Sequence, residues 1–270
     1  MAGKKIDSLH AAVKIGILDS GVGGLSVLKE IHAILPESPL LYFGDSAWCP
    51  YGTKSAEAIC ERVFAITDYL ISKNVGMIVV ACNSATIHAI ESLRANYPIP
   101  IVGMEPAVKP AAEMSQSGVV AILATEASIA GEKFHRLVDI HARSKGLRLI
   151  NQPCPKFVEL VENGILDGPE ADSAVKEIVE PLLHEGADVF VLGCTHYPFL
   201  RASIEAALPD EVHLIDTGPA VAKRVKSLLP KAGNGNGEII IETSGSLEKY
   251  KSLLSDLLPD IEYTIRMSGF

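Results

Sequence analysis

The chain is a succession of short apolar runs of strand length, each cut off by turn residues and most followed by a longer stretch of helical periodicity. The runs are VKIGIL (13–18), PLLYF (39–43), GMIVVA (76–81), IPIVG (99–103), GVVAILA (118–124), LRLIN (147–151) and ADVFVLG (187–193). HLID (213–216) and GEIIIETSG (237–245) continue the series nearly to the end. Runs that are apolar throughout, rather than alternating, belong to strands covered on both faces, as in parallel sheets. Helices between them supply the crossovers that parallel pairing requires. The expected class is therefore α/β, with mainly parallel sheets flanked by helices.

Parallel sheets bind their ligands beyond the carboxyl ends of the strands. Two runs end there in a cysteine, Cys82 in VVACNSAT and Cys194 in VLGCTHYP, and each reads as opening a helix. A helix N-terminus offers unpaired N–H groups and partial positive charge that favour thiolate over thiol. Because a free thiol has a pKa of about 8.5, a modest downward shift makes it a base near neutrality. Asn83, Ser84 and Thr86 after the first cysteine, and Thr195 and His196 after the second, add hydrogen-bonding groups beside each sulfur.

An approximate repeat pairs VKIGILDSG with GVVAILATE and VVACN with VLGCT, a topological likeness that makes a duplication a hypothesis. The first strand runs into DSGVGG before a helical stretch from Leu25 to Leu35, and its glycines permit a tight turn close to a ligand. Neither a Walker loop nor the GxGxxG dinucleotide pattern is present. A change of domain is expected near MEPAV (104–108) and a return near IDTGPA (215–220). That gives a discontinuous first domain, 1–105 plus 217–270, and a second of 106–216, with the site in the cleft between them. KAGNGNG (231–237) reads as a flexible surface connection.

A net charge of −9 argues against nucleic acid, whose binding rests on clusters of Lys and Arg, while helix ends can still hold a small anion in an acidic protein. No apolar run approaches the ~18 residues of a membrane span, and MAGKKIDSLHAA lacks the apolar core of a secretory signal, so a cytoplasmic location is expected. The five cysteines are odd in number, form no C-x-x-C pair and are expected to be reduced. Cys49, Cys60 and Cys154 read as structural, since free cysteine is among the most buried residue types. Cys194 with His196 offers metal donors, but the reading preferred is metal-free. Asp19 also suits a helix cap, His196 a core position beside Pro198, and Glu162 the surface of a short helix.

The segments DSGVGGLSVL, YFGD followed by PYGTKS, ACNSAT, CPKFVELVE and LGCTHYPFL occur in an order that resembles the glutamate racemases, cofactor-independent members of the aspartate/glutamate racemase superfamily. The likeness runs on through IDTGPAVA and TSGS and so spans nearly the whole chain. It implies two similar α/β domains related by a pseudo-twofold axis, with glutamate bound between them and no cofactor. It also implies inversion at the α-carbon by two bases, one cysteine thiolate removing the proton while the other thiol donates to the opposite face. In bacteria the family supplies D-glutamate for peptidoglycan.

Carried over residue by residue, the resemblance makes Cys82 and Cys194 the catalytic pair, Asp19 and His196 their assistants, and Glu162 a third acid. Ser20, Pro50, Tyr51, Gly52, Asn83, Ser84, Thr125, Thr195 and His196, with Asp19 and the two cysteines, match positions that hold the amino acid. Cys82 is expected to deprotonate D-glutamate and Cys194 L-glutamate. The partner expected is this small molecule, with neither nucleic acid nor membrane, and with a homodimer left open. Five positions depart from the family pattern: Trp48 stands for Arg, Ser84 for Thr, Ala127-Ser128 for Gly-Thr, and Glu159 for Pro. The alternatives are a racemase of aspartate or another small carboxylate, and a non-catalytic amino-acid sensor on the same scaffold.

Overall fold

A computed structural model describes residues 12–229 and 235–270. The chain begins β1 (Ile15–Asp19), α1 (Leu25–Ile34), β2 (Leu40–Gly44), α2 (Ala56–Ser72), β3 (Met77–Val80), α3 (Asn83–Asn96), β4 (Ile101–Gly103) and α4 (Val108–Met114). It continues β5 (Val119–Ala124), α5 (Glu126–Ala130), α6 (Glu132–His141), β6 (Arg148–Pro153), α7 (Pro155–Glu162), α8 (Gly168–His184) and β7 (Val189–Gly193). The last elements are α9 (Arg201–Ala207), β8 (His213–Asp216), α10 (Gly218–Leu228), β9 (Ile239–Thr243), α11 (Leu247–Leu257) and β10 (Thr264–Met267).

The strands form two sheets, parallel throughout. One has the order β10-β9-β2-β1-β3-β4 and the other β6-β5-β7-β8. The second repeats the β2-β1-β3-β4 order of the first, strand for strand. The likeness of VKIGILDSG to GVVAILATE thus corresponds to β1 and β5, and the two cysteine segments follow the equivalent neighbours β3 and β7. One strand differs from the sequence reading. β10 was not anticipated, because TIRM is mostly exposed at the sheet edge and carries no continuous apolar run. The expected loop at 231–237 falls partly outside the described residues, which resume at Gly235 and lead into β9.

Central strands β1, β2, β3 and β7 are buried along their whole length, which is why their sequences need no polar alternation. Helices cover both faces. α1 turns Leu25, Val27, Leu28 and Ile31 into the core and packs on α10, which contributes Val221, Ala222 and Val225. Truncating a fully buried residue such as Leu28 to Ala would cost about 2–5 kcal/mol. Among the described residues no helix is long and apolar enough to cross a membrane.

Candidate active site

The register of each sheet brings its chemical residues to one edge. β1 pairs with β3 from Ile15↔Met77 to Leu18↔Val80, so Asp19 and Cys82 leave neighbouring strand ends together. β5 pairs with β7 up to Ala124↔Gly193, which sets Thr125 beside Cys194. Both cysteines are nearly inaccessible to solvent, as are Asp19, Ser20, Asn83, Ser84, Thr195 and His196.

Cys82 is the N-cap residue of α3, in extended conformation, and its thiol lies 3.8 Å from the Ser20 hydroxyl. Burial pushes this thiol up to about 12, the Asp19 carboxylate adds to the shift, and the Ala85 N–H and Ser20 oppose it. Asp19 Oδ2 accepts from the N–H groups of Gly21 (3.1 Å) and Gly24 (2.9 Å), which ties down the glycine loop ahead of α1. Its carboxyl is raised by burial, against the pull of His196 and those two N–H groups. Asp19 Oδ1 and both polar atoms of the Asn83 side chain are buried without a partner among the described residues. Unpaired buried polar groups cost about 1–3 kcal/mol each, so these atoms suit a polar ligand.

The second thiol is set up differently from the sequence expectation. Cys194 precedes a four-residue 3₁₀ turn, Tyr197–Leu200, and α9 begins only at Arg201. Pro198 lacks an N–H, and Tyr197 is anchored in the core by donating to Ala124 O and Cys154 O, both at 3.1 Å. The helix-terminus argument therefore applies to Cys82 alone, and the group beside Cys194 is His196, whose Nδ1 lies 3.6 Å from the sulfur. His196 Nε2 lies 2.8 Å from Glu162 Oε1, and Glu162 is the last residue of α7. Burial alone would lower the imidazole, but its bonds with Cys194, Cys49 and Glu162 outweigh that and raise it well above its ordinary value. Burial likewise raises Glu162, and His196 with the Val22 N–H brings it below the usual carboxylate value.

The DSGVGG loop owes its glycines to this pair. A Cβ on Gly23 would lie 2.4 Å from His196 Nδ1, and one on Gly21 would lie 2.0 Å from Glu162 Oε1. The loop is fixed from the other side by Tyr42 and Tyr250, whose hydroxyls each donate to Gly21 O at 2.9 Å.

Cys49, read as structural, instead donates its thiol to Glu162 Oε1 at 3.4 Å; burial first, and Glu162 after it, push it up to about 12 against the pull of His196. Cys60 and Cys154 remain apart from this group and bond backbone carbonyls, His88 O and Gln152 O. Pro50 and Gly52 line a cavity of about 340 Å³ together with Cys49, Thr125, Glu159 and Glu162. The Tyr51 hydroxyl donates to Asp45 Oδ2 at 2.6 Å. Asp45 is fully buried and also takes both arms of Arg62, each at 2.7 Å, and the Ser244 hydroxyl. Trp48, one of the departures, lies over Arg62 with the guanidinium 5.4 Å from its ring centroid.

Two other departures meet each other. Ser84 Oγ lies 2.8 Å from Thr125 Oγ1 and 3.4 Å from Ser128 Oγ, so three hydroxyls join α3 to the N-terminus of α5. Thr125 also caps α5 through the Ser128 N–H, so its side chain serves the helix as well as the cleft. Glu159 is among the residues that line the cavity. Tyr42, Asp45, Arg62 and Tyr250 went unnoticed in the sequence because each acts through the backbone or another side chain, and such partners have no fixed spacing.

The family model for Asp/Glu/hydantoin racemases matches residues 15–225. The chain is 48% identical over 239 residues to the glutamate racemase of Ectopseudomonas mendocina, covering 88% of each chain. It is 45% identical over 234 residues to that of Herpetosiphon aurantiacus, covering 87% of this chain and 90% of the relative. Among solved structures, Escherichia coli glutamate racemase in complex with L-glutamate and the activator UDP-MurNAc-Ala superposes with a TM-score of 0.85 at 32% identity, covering 95% of this chain and 98% of the other.

Proposed function

The chain belongs to the Asp/Glu/hydantoin racemase family, and on that premise we propose that it interconverts L- and D-glutamate by a two-base mechanism with Cys82 and Cys194 as the bases. The observation that carries the reading is the pair of thiols at equivalent strand ends of two sheets of the same topology, each beside its own proton-handling group. Inversion needs an acid and a base on opposite faces of one carbon, and one thiol from each sheet supplies that arrangement.

In the L-to-D direction Cys194 takes the α-proton, and the positive charge of His196 at 3.6 Å opposes the negative charge the sulfur must carry as base. Cys82, held as a thiol by burial and by Asp19, gives its proton to the other face. The D-to-L direction reverses these roles, with Asp19, whose charge acts on Cys82, as the group that receives its proton. Glu162 holds His196 in the charged form through the 2.8 Å contact. The α-ammonium of the substrate introduces a positive charge beside both sulfurs, which favours thiolate formation once glutamate has bound. Asn83, Ser84, Thr125, Thr195 and the backbone at Pro50–Gly52 supply the polar contacts to the amino acid, whose unpaired partners include both ends of the Asn83 amide. The product serves peptidoglycan synthesis in the cytoplasm.

The reading is tested by following the circular dichroism of L-glutamate and of D-glutamate in deuterated water with cofactor-free protein. Decay of both signals to zero with one solvent deuterium at the α-carbon supports it. Absence of change with either enantiomer, or racemisation without solvent deuterium, overturns it. The same assay with L- and D-aspartate distinguishes the alternative substrate.

A further inference from the structure

The Cys49 thiol, one Glu162 oxygen and a ring nitrogen of His196 converge within 4.8 Å of one another, the one such group of three possible metal ligands among the described residues. From this convergence we infer that the protein carries a Zn²⁺ site made by Cys49 Sγ, the Glu162 carboxylate and His196 Nε2.

The donor set is one that Zn²⁺ accepts, and tetrahedral coordination with Zn–S of about 2.3 Å and Zn–N and Zn–O near 2.1 Å requires ligand separations of about 3.4–3.6 Å. Cys49 Sγ and Glu162 Oε1 are 3.4 Å apart already, and His196 Nε2 and Glu162 Oε1 must open from 2.8 Å by a few tenths of an ångström. Gly21 makes the room: a side chain there would meet Glu162 Oε1 at 2.0 Å and Cys49 Sγ at 2.9 Å. The cavity lined by Cys49, Pro50, Thr125 and Glu162 gives the ion its route from solvent and leaves one coordination position to water. On binding, the Cys49 thiol and His196 Nε2 each release a proton to solvent, so that the sulfur coordinates as thiolate and the ring nitrogen through its lone pair. The imidazole then cannot carry both protons. On the racemase reading above, which this consequence rests on, Zn²⁺ is a reversible inhibitor that disarms the Cys194 side of the site.

The test is calorimetric titration of the chelator-treated, reduced full chain with Zn²⁺, without amino acid, alongside the absorption spectrum with Co²⁺. One Zn²⁺ per chain is expected, with a thiolate-to-cobalt charge-transfer band. Cys49→Ser removes the band and weakens Zn²⁺ at least about tenfold, Glu162→Gln weakens Zn²⁺ likewise, and Cys82→Ser and Cys194→Ser keep both signals. Saturation failure, a cobalt spectrum without a thiolate band, unchanged binding in Cys49→Ser, or loss in Cys82→Ser or Cys194→Ser overturns the site. The wild-type spectrum and Glu162→Gln decide the matter if Cys49→Ser does not fold. Because binding is read without substrate, an inactive protein that still binds Zn²⁺ overturns the racemase reading and leaves the site intact.

Discussion

Replacing Glu162 by Gln keeps the size of the side chain and a hydrogen-bond acceptor but removes the charge that faces His196 at 2.8 Å. An opposite charge at this range is worth about one to three pKa units, so the imidazole should fall by that amount, or by about 1.4–4 kcal/mol of preference for its charged form. Two readouts follow. His196 is raised in the folded protein, so it adds stability that is complete below the unfolded histidine value of about 6.5 and is lost as pH rises through its folded value. Above about pH 6.5 the native state keeps a proton the unfolded chain has released, and stability falls by up to about 1.4 kcal/mol per pH unit. In Glu162→Gln this decline is confined to a narrower range, measurable by denaturant melts at several pH values and by the titration of labelled His196 in NMR spectra. Kinetically, the two enantiomers have equal free energy, so kcat/KM must fall equally in both directions. The loss is about 10- to 1,000-fold if activity follows the charged imidazole. The α-deuterium isotope effect should rise for the direction in which Cys194 is the base and fall for the other, whose isotope-sensitive step becomes less rate-limiting. An unchanged His196 titration, or an isotope effect that moves equally in both directions, would rule out this coupling of Glu162 to Cys194 through His196.

Gly23→Ala places a methyl group 2.4 Å from His196 Nδ1 and 2.7 Å from Thr195 Oγ1, and should reduce turnover by orders of magnitude while the chain still melts cooperatively. Asp45→Asn leaves Arg62, Tyr51 and Ser244 without their buried charged acceptor and should cost about 3–5 kcal/mol, seen as a lower denaturation midpoint, with a raised KM as the Pro50–Gly52 loop loosens. Ser84→Ala removes a 2.8 Å bond between α3 and Thr125 and should raise KM for glutamate several-fold, the equivalent of about 0.5–1.5 kcal/mol, with kcat less affected.

The β-strands that bear the chemistry were legible because they are buried on both faces and therefore written as unbroken apolar runs. β1, β3, β5 and β7 fall within a residue or two of the runs read from the sequence. β10 was not legible, since an exposed edge strand needs no apolar run. Cys82, Cys194, Asp19 and His196 stand at strand ends, where sequence position reports spatial position. Cys49 stands in a loop, and only the tertiary structure brings its sulfur to Glu162, more than a hundred residues later in the chain. The helix expected directly after Cys194 gave way to a 3₁₀ turn because Pro198 and the buried Tyr197 constrain the backbone there. That difference bears on the proposed chemistry, since it leaves His196, rather than a helix terminus, as the group in contact with the second thiol.

On the proposed mechanism each face of the α-carbon has its own cysteine. This assignment is tested most directly by NMR of α-hydrogen exchange in deuterated water with Cys82→Ser and Cys194→Ser, each given L-glutamate and D-glutamate separately. Neither variant is expected to racemise at the wild-type rate. Cys82→Ser should keep exchange of the L-enantiomer through Cys194, and Cys194→Ser should keep exchange of the D-enantiomer through Cys82. Equal exchange of both enantiomers by either variant would contradict that assignment, because a single group would then be reaching both faces.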